Sequence, residues 1–244
     1  WYRVSFEGEY SVEEVAKRFA ALGEVQSVDF NRNVKRAYNH KAIPLSKSEL
    51  ERAESQRTRS TMSDPLLNKQ WYLVNDGTMF TEGEVIKSVK DADVQCETAW
   101  NMATGNESVI VAVLDEGIFI EHPDLQGAIW QNEDEIYRSE NDNDNNGYAG
   151  DAHGYNFAKK TGVITWDNIY DSGHGSHVAG VIAAENNNGI GISSVAGGNG
   201  SRAGVKIMVC QIFSGSMGTD AIGVARAFKY AADNGAVVLQ CSWG

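Results

Sequence analysis

The sequence predicts an α/β protein built on a doubly wound parallel sheet, with a small α+β module ahead of it. Three observations carry that expectation. Ser108–Leu114 (Ser-Val-Ile-Val-Ala-Val-Leu) is a continuous, β-branched apolar run, which is how a strand buried on both faces of a parallel sheet reads. Val205–Phe213 and Ala236–Ser242 repeat that character. Between them lie helical segments, among them Ala221–Asn234 with Gly235 just past its end, so strands alternate with helices as right-handed crossovers require.

Taken in order, Trp1–Phe6 alternates between apolar and polar residues and reads as a strand. Ser11 then caps an amphipathic helix that runs from Val12 to Leu22 and closes at Gly23. Val25–Phe30 alternates again, giving strand, helix, strand. Residues 41–62 are charged and polar, with Arg52, Arg57 and Arg59 among several serines, and read as a loose helix or a linker. The composition changes at Ser63, and Ala99–Gly105 reads as a helix leading into the first buried strand. The expected organisation is therefore a small module over 1–45, a linker over 46–62 and a large domain over 63–244.

Bulk properties narrow the function classes. At 244 residues there is room for one large domain and one small one. No apolar run approaches the ~18 residues a membrane span needs. A formal charge of -12 argues against nucleic acid and anionic membrane as partners. Such acidity suits a secreted protein that gathers cations, and solubility alone also explains it. The three cysteines, Cys96, Cys210 and Cys241, are far apart, and the last two lie in apolar runs, so buried free thiols are expected. The chain opens on Trp1 without a signal peptide, so an earlier segment is expected to have been removed.

Two segments point to chemistry. The first buried run ends in Asp115-Glu116-Gly117, and functional groups in open α/β sheets gather past the carboxyl ends of strands. Asp115 therefore stands where a carboxylate could orient an imidazole. A turn aspartate is the competing reading. The second segment, Asp171-Ser172-Gly173-His174-Gly175-Ser176-His177-Val178-Ala179-Gly180, places histidine at the start of a small, apolar helix, with Asp171 and Ser172 as capping residues. His174 and His177 also match half of a metal-dependent hydrolase site, but no Cys or Glu partner stands at helical spacing. Asn141–Gly147 offers oxygen ligands at alternate positions, like the first half of an EF-hand loop. His153 stands where the closing Glu should be, with Asp151 as a substitute, so bound Ca²⁺ and a plain Asx-rich turn remain equal readings.

Together these motifs resemble the subtilisin-like serine proteases, the subtilases, from about Ser63 to Gly244. The residues that carry the resemblance are Asp115-Glu116-Gly117 with His122-Pro123-Asp124-Leu125, then His174 through Gly180, then Ser242-Trp243-Gly244. The resemblance implies a serine endopeptidase acting on protein or peptide substrates, with Asp115 as the orienting aspartate, His174 as general base and acid, and His177 as a structural helix residue. The family's nucleophilic Ser and oxyanion Asn are expected in a C-terminal part of the catalytic domain after Gly244. None of Ser172, Ser176, Ser193, Ser194, Ser214 or Ser216 matches the nucleophile motif. A catalytically inactive, subtilase-like binding module is the alternative. Glu116 departs from the Ser or Thr usual at its position and is expected to turn away from His174.

The resemblance extends to binding. Residues 1–45 are similar to the second half of a ferredoxin-like prodomain, which implies a zymogen whose prodomain is a folding aid and intramolecular inhibitor. The linker would then hold the processing site, with Arg57 and Arg59 as candidates by position. A secreted, periplasmic or cell-surface location follows. Asp64, Asp124 and the Asn188 side chain, with carbonyls from Glu185, Ile190 and Ile192, match the family's structural Ca²⁺ loop, unless 186–189 is only a turn. Ser216, Met217 and Gly218 on one side and Ser242, Trp243 and Gly244 on the other correspond to the edges that flank substrate. Trp243 replaces the common Leu, which implies a preference for apolar side chains, unless its ring is core packing.

Overall fold

The computed structural model describes residues 2–36, 61–81 and 84–244. Nearly all of the expected linker, with Arg57 and Arg59, lies outside the described residues. The chain divides into two compact units, Trp1–Arg32 and Asn33–Gly244. Residues 33–36, expected with the small module, therefore belong to the large unit.

In the small unit the helix forms as the sequence indicates. Helix α1 spans Val12–Ala20 and begins with a reciprocal capping box, Ser11 Oγ accepting from the Glu14 amide and Glu14 Oε2 accepting from the Ser11 amide. Acidic residues fill its first turn and basic residues its last, which complements the helix dipole. The two flanking strands do not form among the described residues of this unit. Alternation gives a segment two faces, but a strand also needs a backbone partner, and neither segment has one among the described residues.

The large unit holds the parallel sheet. Its strands are β3 (Ile110–Glu116), β4 (Gly154–Asn156), β5 (Lys206–Ser214) and β7 (Ala236–Cys241), in the spatial order β4-β5-β3-β7. All three pairings along that path are parallel. The short β6 (Met217–Gly218) turns back antiparallel on β5, and a separate hairpin joins β1 (Thr78–Thr81) to β2 (Glu84–Lys87).

Helices cover both faces, so the doubly wound prediction holds. One layer packs Val111, Val113, Ile207 and Val209 against Ala179 and Ala183 of α3 (His174–Ala183). The opposite layer packs Ala112, Leu114, Met208 and Cys210 against Val224, Ala227 and Tyr230 of α4 (Ala221–Asp233). A third cluster gathers Met62, Leu67 and Leu73 with Cys96 and Trp100 of the short α2 (Cys96–Trp100). Strand β7 differs from its predicted burial: Val237, Val238 and Leu239 are exposed, because the described sheet pairs this strand on one side only. Cys241 is exposed with them, against expectation, while Cys210 is buried in the centre.

Two details at the end of β3 place the site. The β3–β5 register shifts between Asp115 and Glu116, a bulge that re-aims consecutive side chains. Gly175, in the first turn of α3, lies so close to β3 that an added Cβ would stand 2.5 Å from the Glu116 carbonyl oxygen. A side chain there forces the helix off the strand. Gly175→Ala should therefore destabilise the protein by ~1–3 kcal/mol, lowering the melting temperature by several degrees, and an unchanged melt contradicts the close approach.

Candidate active site

The buried β3 run delivers Asp115 to the carboxyl edge of the sheet with only 2% of its surface exposed. Helix α3 delivers His174 from the other side. Its Nδ1 lies 2.8 Å from Asp115 Oδ1 and 2.9 Å from Oδ2, so the pair that the sequence proposed does meet. Asp115 Oδ1 also accepts from the Glu116 amide at 2.7 Å. Burial raises the Asp115 carboxyl above the ordinary carboxylate range, despite the lowering effect of the bond to His174.

The start of α3 is capped partly as predicted. Gly173 is the N-cap, in the left-handed region at φ 82°, and Ser172 Oγ, just before it, accepts from the His174 amide at 3.3 Å. Glu116 adds to this from across the site. Its Oε2 accepts from the Ser172 amide at 2.9 Å, the Ser172 hydroxyl at 3.0 Å and the Gly173 amide at 3.1 Å. A negative carboxylate at a helix N-terminus is favourable for the free N–H groups and the dipole alike. Asp171, read as a cap, instead accepts from the Gly215 amide at 2.8 Å. His177 is exposed on α3, and the described residues bring no carboxylate or thiol cluster to it.

Glu116 and Asp171 share a third partner that the sequence did not single out. Arg36 Nη1 lies 2.8 Å from Glu116 Oε1, and Arg36 Nη2 lies 3.0 Å from Asp171 Oδ1. The same guanidinium donates to the carbonyls of Tyr170 and Gly215. It stands 5.5 Å from the Phe213 ring centroid. Nothing local in the sequence marks Arg36, since its partners lie 80 to 180 positions later along the chain.

The two expected substrate edges take different forms. Met217 and Gly218 form β6 against Ser214 and Phe213, with Ser216 at the exposed turn. Residue Asn33 bridges antiparallel to Asp220, just past that edge, and an added Cβ on Gly218 would meet the Val34 carbonyl at 3.5 Å. On the other side, Trp243 Nε1 donates to the Leu114 carbonyl at 2.7 Å, and its ring packs on the α4-facing layer. Trp243 thus serves the core while also lining, with Ser242, Phe213 and Arg36, the recess over Asp115 and His174. Gly244 is exposed beyond it.

The proposed cation residues also converge. Asp64 Oδ2 accepts from the Asn187 amide and the Ser193 hydroxyl, while its Oδ1 is buried with no hydrogen-bond partner. Asp124 accepts from Asn188 Nδ2 and the Ile192 amide, and burial first, then the nearby Asp64, raises its carboxyl. Asn188 Oδ1 turns back to the Ile190 amide, and Glu185 Oε1 accepts from the Gly127 amide. Two buried carboxylates with an orphaned oxygen fit a hard cation.

The loop over 141–147 is a different case. Here Glu135, unremarked in the sequence, joins Asp144 and Asp151, with ligand atoms within 4.8 Å of one another. Every one of those carboxylate oxygens already accepts from an amide or hydroxyl, including Tyr230 Oη and the amides of Asn143, Asn146 and Gly150. The Asx-rich turn reading accounts for it.

A doubly wound parallel sheet that presents an Asp–His pair past its strand ends defines a hydrolase-like arrangement. The comparisons agree with that class. The subtilase family model (Peptidase_S8) matches residues 106–244, more than half of the chain, and the chain belongs to the subtilase family. It is 43% identical over 102 residues to subtilisin-like protease 1 of Plasmodium berghei, covering 41% of this chain and 16% of that protein. It is 29% identical over 224 residues to the cell wall-associated protease of Bacillus subtilis, covering 91% of this chain and 21% of that protein. The thermophilic serine proteinase of Bacillus sp. strain AK1 is 30% identical over 150 residues, with 60% of this chain and 28% of that protein covered. The chain thus spans 16% to 28% of the length of these relatives. Among solved structures, the serine protease of Aeromonas sobria in complex with its chaperone matches at a TM-score of 0.49 and 22% identity, over 73% of this chain and 24% of that one.

The raised Asp115 carboxyl has a consequence for stability. A group whose folded value lies above its unfolded value stabilises the fold below the ordinary carboxylate range and loses that contribution as pH rises through the folded value. Asp115→Asn keeps an acceptor for the imidazole and removes the buried charge. The variant should melt no lower than the parent at pH 7, with the difference vanishing below about pH 4. A variant that is less stable at pH 7, by a gap that widens with pH, contradicts this.

Proposed function

We propose that the protein carrying this chain is a serine endopeptidase, secreted, periplasmic or cell-surface, made as a zymogen. The observation that supports it best is the imidazole of His174 held through Nδ1 by both oxygens of a buried Asp115. That bond fixes the tautomer with the proton on Nδ1, so Nε2 is left basic. His174 then takes the proton of a serine hydroxyl as it attacks the peptide carbonyl and returns it to the leaving amine. Asp115 stabilises the imidazolium between those steps. The serine is assigned, by the family resemblance, to a segment that follows Gly244. The oriented imidazole weighs against the alternative of a non-catalytic binding module.

Residues 33–36 run past the β6 edge, where a peptide substrate adds itself to a sheet in such proteases. In this reading the N-terminal region is the prodomain and this stretch blocks the cleft before processing. The whole-protein test is labelling by a fluorophosphonate probe. Labelling should occur in the processed parent and fall by about 10⁴-fold or more in His174→Ala. Equal labelling of parent and variant contradicts the assignment.

The cation at Asp64 and Asp124 is proposed to be a structural Ca²⁺, held also by Asn188 and by the carbonyls of Glu185, Ile190 and Ile192. It would neutralise two buried carboxylates and tie the segment at Asp64 to the loop after α3. Saturation at about 100 times Kd adds ~2.7 kcal/mol, or several degrees of melting temperature. Chelation should remove that increment, and Asp64→Asn should abolish the response to added Ca²⁺. A melt insensitive to both would leave the loop as a turn.

A further inference from the structure

Resting on the protease reading, we infer that Glu116 and Asp171 form an acidic specificity pocket beside His174 that selects substrates with a basic side chain, arginine above lysine. Arg36 is the chain's own occupant of that pocket, standing in for the substrate side chain.

Both carboxylates are nearly inaccessible, at 2% and 1% of side-chain surface. Buried charge is costly unless opposed, and the surrounding frame opposes it only in part. Glu116 Oε2 is satisfied by the start of α3 and Asp171 Oδ1 by the Gly215 amide. Glu116 Oε1 is met by Arg36 Nη1 at 2.8 Å, and Asp171 Oδ2 is buried without a hydrogen-bond partner among the described residues. Among the described residues, Arg36 is thus a cation that touches both negative groups here.

The remainder of the pocket is shaped for a guanidinium. The carbonyls of Tyr170 and Gly215 accept from its two terminal nitrogens, and the Phe213 ring lies within cation–π reach of its carbon. Four acceptors around a planar fork of donors suit arginine, whereas an ammonium matches fewer of them. An apolar side chain would leave both carboxylates unopposed. The pocket therefore displaces the apolar preference expected from Trp243.

The position of Arg36 ties the pocket to peptide binding. Residues 33–36 reach it along the β6 edge, and Arg36 lines the same recess as Asp115, His174 and Ser242. A side chain entering there belongs to a residue within a few positions of the scissile bond, on its N-terminal side if residues 33–36 follow the course of a substrate. The departure at Glu116 from the family's usual Ser or Thr then has two roles, capping α3 and binding the basic group.

The test uses the full-length processed protein and fluorogenic peptides carrying Arg, Lys, Leu or Glu at each of four positions before the cleaved bond. One position should favour Arg over Leu by about 100-fold or more in kcat/KM, with Lys between them. Asp171→Asn, which leaves the α3 cap in place, should reduce that ratio by about tenfold or more, chiefly through KM for the Arg peptide. Glu116→Gln should do the same, with fluorophosphonate labelling reporting separately on the imidazole. Casein cleavage and labelling with an Arg-to-Leu ratio near one at every position overturn the pocket and leave the protease reading standing. An Arg preference unchanged in both variants also overturns it. No labelling and no cleavage of any peptide overturn both.

Discussion

The approach of the first turn of α3 to the end of β3 is the constraint on which the site depends. Backbone meets backbone there, with Gly175 over the Glu116 carbonyl, and two consecutive residues of β3 profit from it. Asp115 reaches the imidazole of His174, and Glu116 reaches the free amides of Ser172 and Gly173. The helix terminus, where Ser172 Oγ already accepts from the His174 amide, is completed by the strand it packs on. The orientation of His174 and the capping of its helix are therefore one event, and the bulge at Asp115/Glu116 lets neighbouring side chains serve both.

The same arrangement sets up an electrostatic conflict. Asp115, Glu116 and Asp171 are all buried within one small region, and Glu116 raises Asp115 in addition to the effect of desolvation. The helix N-terminus offsets part of that charge and Arg36 offsets another part. Such a cluster is often less stable than well-packed apolar residues in its place. Its cost falls on the stability of the fold, and the oriented imidazole is what it supports.

Much of this was legible in the sequence because it is written in continuous runs. The β3 and β5 runs read directly as buried strands, and the glycine-thinned start of α3 read as a docked helix bearing a histidine. What stayed hidden depends on distant partners. Tyr2–Phe6 and Val25–Phe30 alternate like strands, yet no backbone among the described residues pairs with them. The apolar run of β7 does not disclose that the strand has a described neighbour on one side only, which exposes Cys241. Asp171 looked like a cap because caps are local, and its real partners, Gly215 and Arg36, are 44 and 135 residues away. Arg36 and Glu135 carry no local mark at all.

The state of the His174 ring tests this account most directly. Imidazole ¹⁵N-edited NMR on the full-length protein reports which nitrogen holds the proton. A proton on Nδ1, slow to exchange and lost to the common tautomer mixture in Asp115→Ala, is the expected result. A ring protonated on Nε2 and unaffected by the loss of Asp115 would contradict it.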